Sequence, residues 1–260
     1  MKQTILSTLQ SALLEELIVK YDQIVTSEQI YAQAEGVWNQ QAAKNVITRL
    51  NRNGWLIRVK RGLYAISDLS NRGFLSISPY VVAHLLVKDS YVSFESALAY
   101  HGMFDQLTNK TISISQVQYK TAQLQSIEYS FVKVLNKWFF GWQDVIIDNK
   151  TVRMATAEKA LIDMIQFRKS KYTVDLVVEK LSVYKDSLDL QKMTEYLGKM
   201  SLTTVKTFGL LFDILGIDSG DLYNQVKLRG THLMLSRDAK FNAKWRLYYD
   251  KYFDKYQSVK

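Results

Sequence analysis

Between Glu35 and Asp68 the hydrophobic period switches from 3.6 to 2 while no carboxylate occurs, and this stretch most limits what the chain can fold into. Asn39 is a good helix N-cap, and Asn53-Gly54 a good stop. Between them Ala43, Val46, Ile47 and Leu50 share one arc at about 100° per residue. The opposite arc carries Gln41, Lys44, Asn45, Thr48, Arg49 and Arg52. An ordinary solvated helix face mixes acids with bases; this one offers amides, a hydroxyl and three cations. Strand alternation follows, with Trp55, Ile57 and Val59 on one side and Leu56 and Arg58 on the other. Lys60-Arg61-Gly62 makes a hairpin turn, and residues 63–66 return.

Upstream, Leu6, Leu9, Leu13, Leu14, Leu17 and Ile18 keep helical spacing, with a break at Asp22. A second, short helix starts at Thr26, whose spacing to Gln29 is that of a capping box, and Gly36 ends it. Three helices followed by a basic-tipped hairpin predict a winged helix-turn-helix over residues 1–70. Asn and Gln can bridge N6 and N7 of adenine, and Lys and Arg can reach O6 and N7 of guanine. Gln41, Lys44, Asn45 and Thr48 are therefore expected to read bases. Arg49, Arg52, Arg58, Lys60 and Arg61 are expected to hold phosphates or a groove edge.

Composition narrows the rest. The 260 residues are 47% hydrophobic and 23% charged, which excludes a mainly disordered chain. A single Pro and 11 Gly leave little room for long structureless linkers, and few breakers suit a helix-rich α+β protein. No cysteine is present, so disulfides, thiolate catalysis and Cys-ligated zinc are excluded. Glu15 and Glu16 interrupt the apolar start, which does not read as a signal peptide, and no run approaches 18 apolar residues. A cytoplasmic protein is expected. The net charge of +9 favours a polyanionic partner, though the local distribution says more than the total.

Residues 68–78 read as a linker, and 78–260 as a larger mixed α+β domain with several helices. An apolar helix or strand is expected over 79–87, then a helix over 94–100 with Ser93 as N-cap and Gly102 as stop. Strand patterns lie at 111–117, 130–135, 138–147 and 151–154. Thr156 caps a helix over 157–167 whose core stripe is Ala160, Leu161, Met164 and Ile165. Helices are expected near 173–184, 189–198 and 203–215, and strands at 232–235 and 245–249. Residues 227–246 hold six bases (Lys227, Arg229, Arg237, Lys240, Lys244, Arg246) against one acid, Asp238, a possible C-terminal basic surface.

Chemistry-bearing motifs are absent: GxxxxGK[ST], GxGxxG, GxSxG and HExxH do not occur. His84, His101 and His232 are far apart in sequence. Asp218 and Asp221 flank Ser219-Gly220 and read as helix capping. The aromatic run at 138–142 could stack bases but reads better as packing. No enzyme activity, catalytic residue, metal or cofactor is expected.

The stretch VTSEQIYAQAEGVWNQQAAKNVITRLNRNGWLIRVKRGLYAIS resembles the N-terminal domain of AbiEi-type antitoxins of bacterial abortive-infection systems, and YVSFESALAYHGM and VRMATAEKALIDM resemble that family's C-terminal domain. Order and spacing fit over most of the chain, less distinctively beyond about Met200. TAEKALIDM lacks a proline near its helix start, and Met103 stands where Leu is more typical. The resemblance implies two activities in a type IV toxin–antitoxin system. One is repression of the chain's own operon through inverted repeats in double-stranded promoter DNA, two copies sitting on the DNA. The other is antagonism of a nucleotidyltransferase-like toxin without a stable complex. A ligand-sensing winged-helix regulator without a toxin partner is the alternative, and a preformed apolar cavity with a few convergent polar groups would mark it.

Overall fold

The computed structural model describes residues 5–68, 73–74, 76–106, 108–168, 170–227, 229–234 and 239–256. The fold is mixed α/β and divides into two compact units. The first comprises Met1–Lys88 with two short turns, Gln123–Ile127 and Ile147–Lys150; the second holds the remainder.

In the first unit, α1 (Thr8–Tyr21) starts at a capping box of Ser7 and Gln10. A short strand, β1 (Ile24–Thr26), leads into α2 (Ser27–Ala34), where the box expected at Thr26 and Gln29 is formed at 3.2 and 2.8 Å. Helix α3 (Gln40–Arg52) begins at Asn39, whose side-chain oxygen accepts from the Ala42 amide at 2.8 Å. It ends in a Schellman motif: Trp55 N–H donates to Leu50 O and Gly54 N–H to Asn51 O, with Gly54 at φ +82°. Strands β2 (Leu56–Lys60) and β3 (Leu63–Ile66) form the expected hairpin, and β1 adds to it in the order β1-β3-β2. Leu13, Leu14 and Leu17 of α1 and Ile30 and Ala34 of α2 meet the apolar arc of α3 in one core, with Val25, Leu56 and Ile66 from the strands. Leu9 departs from the expected helical face and is exposed.

Two sequence expectations change here. The hairpin does not alternate cleanly: a register shift between Arg58 and Lys60 buries both Leu56 and Val59, three residues apart. The same bulge turns Lys60 away from solvent. Its ammonium donates to the carbonyls of Leu85 (2.5 Å) and Leu86 (3.4 Å), so Lys60 caps helix α4 (Pro79–Leu86) instead of extending the wing. Burial, and the nearby Lys88 charge, lower its pKa. This contact and the packing of α4 on β2 explain why the first unit reaches Lys88 and does not stop at the expected linker. Residues 69–72 and 75 of that linker lie outside the described residues.

The second unit is built on a six-stranded mixed sheet, β6-β7-β5-β4-β9-β8. Its strands are β4 (Ser90–Val92), β5 (Lys110–Ser115), β6 (Ala122–Leu124), β7 (Ile127–Lys133), β8 (Trp142–Ile147) and β9 (Lys150–Ala155). Helices α5 (Phe94–Tyr100), α6 (Ala157–Phe167), α7 (Lys171–Tyr184), α8 (Leu190–Leu197) and α9 (Leu202–Leu215) follow closely the helical segments read from sequence, and α10 (Gly220–Val226) starts at the capping residues read at 218–221. Three short strands, β10 (His232–Leu233), β11 (Ala239–Asn242) and β12 (Leu247–Asp250), form a small separate sheet. Trp138 belongs to a 3-10 turn (Asn136–Trp138), not to β8.

At the centre of this unit lies a fully buried ion pair between Lys159 and Asp163, one turn apart on α6. The Lys159 ammonium also donates to Tyr91 Oη at 2.9 Å, while Tyr91 Oη (3.2 Å) and Ser93 Oγ (2.7 Å) donate to Asp163 Oδ2. Ser93 stands at the N-cap of α5 as expected, but its hydroxyl makes no capping bond and serves the buried carboxylate instead. Burial pushes the Asp163 carboxyl up and the Lys159 ammonium down, and each charge opposes the push on the other. The Lys159 stem passes so close to Gly141 that a Cβ there would lie 2.8 Å from it, which explains why the aromatic run is interrupted by glycine. Phe139 and Trp142 of that run pack with Tyr91, and Phe140 lies 4.8 Å beneath the ammonium.

Two stability outcomes follow. Lys159→Met leaves a buried carboxylate uncompensated and should cost about 3–5 kcal/mol in urea unfolding, whereas Lys159→Met with Asp163→Leu should recover most of that loss. A double variant as unstable as the single would place the cost in packing around the lysine stem. Lys60→Met exposes no new charge but orphans two helix-end carbonyls, and should lower unfolding free energy by about 1–2 kcal/mol.

Candidate nucleic-acid interface

The rotation of α3 is set by its buried side. Ala43, Val46, Ile47 and Leu50 are each at most 5% exposed, and Gln41, Lys44, Asn45, Thr48, Arg49 and Arg52 are all exposed. From Gln41 to Arg52 this face runs about 16 Å along the axis. None of its six residues approaches a carboxylate among the described residues. Gln41 Nε2 donates to Asn45 Oδ1 at 3.5 Å, the outer limit of such a bond, so both amides retain donors and lone pairs for an external partner. Thr48 differs from the sequence expectation in detail. Its hydroxyl donates to Lys44 O at 2.9 Å, which leaves an acceptor lone pair and a methyl group facing outward. That combination suits a thymine methyl or a base amino group. Arg49 and Arg52 stand in the last turn, where their charge also complements the helix dipole.

The hairpin supplies two further cations. Arg61 is exposed in the two-residue turn with Gly62, whose φ of +75° favours glycine. The Ser27 amide donates to Gly62 O at 2.9 Å and ties this tip to the start of α2. Arg58 is exposed on β2, paired across the hairpin with Tyr64. Of the nine residues read as DNA contacts, eight are exposed, and Lys60 is committed to α4.

The C-terminal basic residues separate into different environments. Lys240 pairs with Asp254 at 3.0 Å, and Lys244 with Asp213 at 2.7 Å. Lys227 is exposed and donates to Asn224 at 3.2 Å. Arg229 and Arg246 are exposed and have no carboxylate partner among the described residues; Arg237 lies outside those residues.

Other candidates resolve into structure. His101 Nε2 meets Ala155 O at 2.8 Å, and Asp218 accepts from the Gly220 amide at 2.9 Å as a local cap. No group of three His, Cys, Asp or Glu among the described residues could hold a metal ion. A cleft of about 560 Å³ is lined by Val178, Val183, Ile214, Leu215, Asp175 and Lys255, among others. Its carboxylate Asp175 already accepts from Tyr252, Tyr256 and Lys255. No helix among the described residues is long and apolar enough to cross a membrane.

Sequence reasoning did not find β1, the third strand that braces the hairpin. The signal was present as Ile24-Val25-Thr26, three β-branched residues between a helix stop and a capping box.

No family model matches the chain, and no curated protein matches its sequence. Among solved structures, the chain is similar to the crystal structure of the RV2827C protein from Mycobacterium tuberculosis, with a TM-score of 0.71 over 95% of this chain and 93% of that one. The two sequences are 13% identical, so the likeness is one of fold.

Proposed function

We propose that the first unit is a winged helix-turn-helix that lays α3 in the major groove of duplex DNA, and that the chain is a cytoplasmic autorepressor and antitoxin. The observation that carries the DNA half is the outward, acid-free face of α3, held in place by the buried stripe on its other side. Amides at Gln41 and Asn45 match the bidentate edge of adenine, Lys44 reaches guanine, and Arg49, Arg52, Arg58 and Arg61 meet phosphates. Each copy of the chain contributes one recognition helix, so an inverted repeat calls for two copies on the DNA.

The antitoxin half rests on the resemblance of three stretches to AbiEi-type antitoxins. Two of them, β4–α5 and β9–α6, supply the four members of the buried Lys159–Asp163–Tyr91–Ser93 network. The partner this implies is a nucleotidyltransferase-like toxin encoded beside the gene, antagonised without a stable complex.

Three measurements test this reading. Asn45→Ala should cost about 1–3 kcal/mol on the preferred duplex and relax the footprint at one base pair. An unchanged affinity and footprint would remove Asn45 from base reading. Arg49→Ala with Arg52→Ala should weaken all duplexes alike and flatten the log–log salt slope by about 1.8, two phosphate contacts at roughly 0.9 each. In cells that carry the neighbouring toxin gene, the same arginine variant should lose promoter repression and keep growth rescue. Loss of both would tie antagonism to DNA binding, and rescue by neither parent nor variant would sink the antitoxin half.

A further inference from the structure

The small sheet at the end of the second unit presents two aromatic rings to solvent on a rigid support. Its strand order is β10-β12-β11, with β10 parallel and β11 antiparallel to β12. On β12, Leu247 and Tyr249 point inward and are almost fully buried, and Tyr248 between them is 42% exposed. Phe241 stands directly opposite Tyr248 on β11, is 47% exposed, and its ring centroid lies 5.0 Å from the tyrosine's.

The support is well anchored. Trp245 is buried over Gly209 of α9, where any Cβ would lie within 2.4 Å of the indole. Its Nε1 donates to Asp213 at 2.7 Å. Exposure of Phe241 and Tyr248 is thus not the fraying of a loose hairpin.

Charge accompanies the rings. Arg246 immediately precedes β12, and its carbonyl accepts from the His232 amide, which brings it beside the start of β10. Lys206 donates to the carbonyls of Arg229 (3.0 Å) and Gly230, and the Arg246 charge lowers its pKa after burial has done so. The Arg229 backbone and the Arg246 charge therefore both lie beside buried Lys206, and Arg229 and Arg246 are themselves exposed. Among the described residues, Asp213 is occupied by Lys244 and Trp245, Asp250 by Lys171, and Asp254 by Lys240 and Tyr249. Arg246 adopts φ +47°, a left-handed turn position that Gly or Asn fills with less strain.

Rings beside cations, with the described carboxylates already paired, suit a ligand that has aromatic faces and negative charge together. We propose that the outer face of this sheet binds single-stranded nucleic acid, with unpaired bases stacked on Phe241 and Tyr248 and phosphates on Arg246 and Arg229. A duplex cannot use the rings, because its base faces are already stacked. The site lies wholly in the second unit and is independent of the α3 reading.

The test uses the full chain carrying Asn45→Ala and Arg49→Ala, which disables α3 and leaves the sheet intact. Fluorescence anisotropy is read with labelled 12-mers of oligo-dT, oligo-rU and an abasic strand, and with a 12-base-pair duplex. Phe241→Thr with Tyr248→Thr keeps strand propensity and should weaken binding of the single strands at least about tenfold, to the level of the abasic strand. Tyr248→Phe should stay within about twofold of the parent, which separates stacking from folding. Arg229→Ala with Arg246→Ala should flatten the salt slope by about 1.4. A preference for oligo-rU over oligo-dT would assign RNA, and equal binding would assign single strands in general. Unchanged affinity in the folded threonine variant overturns the proposal, as does duplex binding with the same dependence on the two rings. So does a dimer in sedimentation that the threonine variant dissociates while oligonucleotide affinity stays fixed.

Discussion

Burial of Ala43, Val46, Ile47 and Leu50 is the interaction on which the first unit turns. Four apolar side chains taken from water contribute several kcal/mol, at roughly 1.5–3 kcal/mol for a large one and less for alanine. A rotation of α3 by one residue, about 100°, would carry Lys44 and Thr48 toward that core and Val46 and Leu50 toward water. An unpaired buried ammonium costs more than the whole stripe contributes. The helix therefore has one acceptable rotation, and that rotation sets which six side chains meet solvent. The capping contacts at Asn39 and the Schellman turn at Gly54 fix where the helix starts and stops, so the face is fixed in length as well as direction.

Periodicity carries information when one side of an element is wet and the other dry, and this decides what could be read from the sequence. Helix α3 is such an element, and its buried and exposed residues are those its spacing implied. The thresholds of α2, α3 and α6 were legible because Thr26, Asn39 and Thr156 act through local hydrogen bonds to the third residue on. What was not legible depends on contacts between distant residues. Nothing near Lys60 announces the carbonyls of Leu85 and Leu86, and nothing near Ser93 announces Asp163 seventy residues later. In both cases a side chain plausible for a local role is claimed by a distant partner. The bulge at Val59 belongs to the same class, since alternation cannot report an extra residue in a ladder. The exposed pair of Phe241 and Tyr248 also required the β11–β12 register, which no pattern within either strand contains.

The buried network bears on how far the resemblance to AbiEi-type antitoxins reaches. Tyr91, Ser93, Lys159 and Asp163 lie in the two stretches that carry it in the second unit, and all four are at most 1% exposed. These positions describe packing: an ammonium with an aromatic floor, a carboxylate with three donors and a glycine that makes room for the lysine stem. They do not identify a surface that meets a toxin. Buried polar groups of this kind add little net stability over an apolar core of the same shape, but they tolerate few alternative arrangements. The network is thus better suited to specifying which strand faces which helix than to holding the unit together.

The two candidate surfaces differ in the part of a nucleic acid that each can reach. Helix α3 is a narrow cylinder whose amides project sideways, which suits the edges of paired bases at the floor of a groove. The outer sheet face is broad and offers ring planes, which suit only bases whose faces are free. Each arrangement excludes the other's substrate by shape: the sheet is too wide for a groove, and the α3 face has no aromatic residue on which a base could stack. In the proposed reading salt sensitivity is common to both, because both would rely on arginine and phosphate, but discrimination is not: duplex sequence would be read by Gln41, Lys44 and Asn45, and strandedness by Phe241 and Tyr248. The +9 charge of the chain explains neither specificity; it raises the encounter rate with any polyanion and leaves selection to these few exposed side chains.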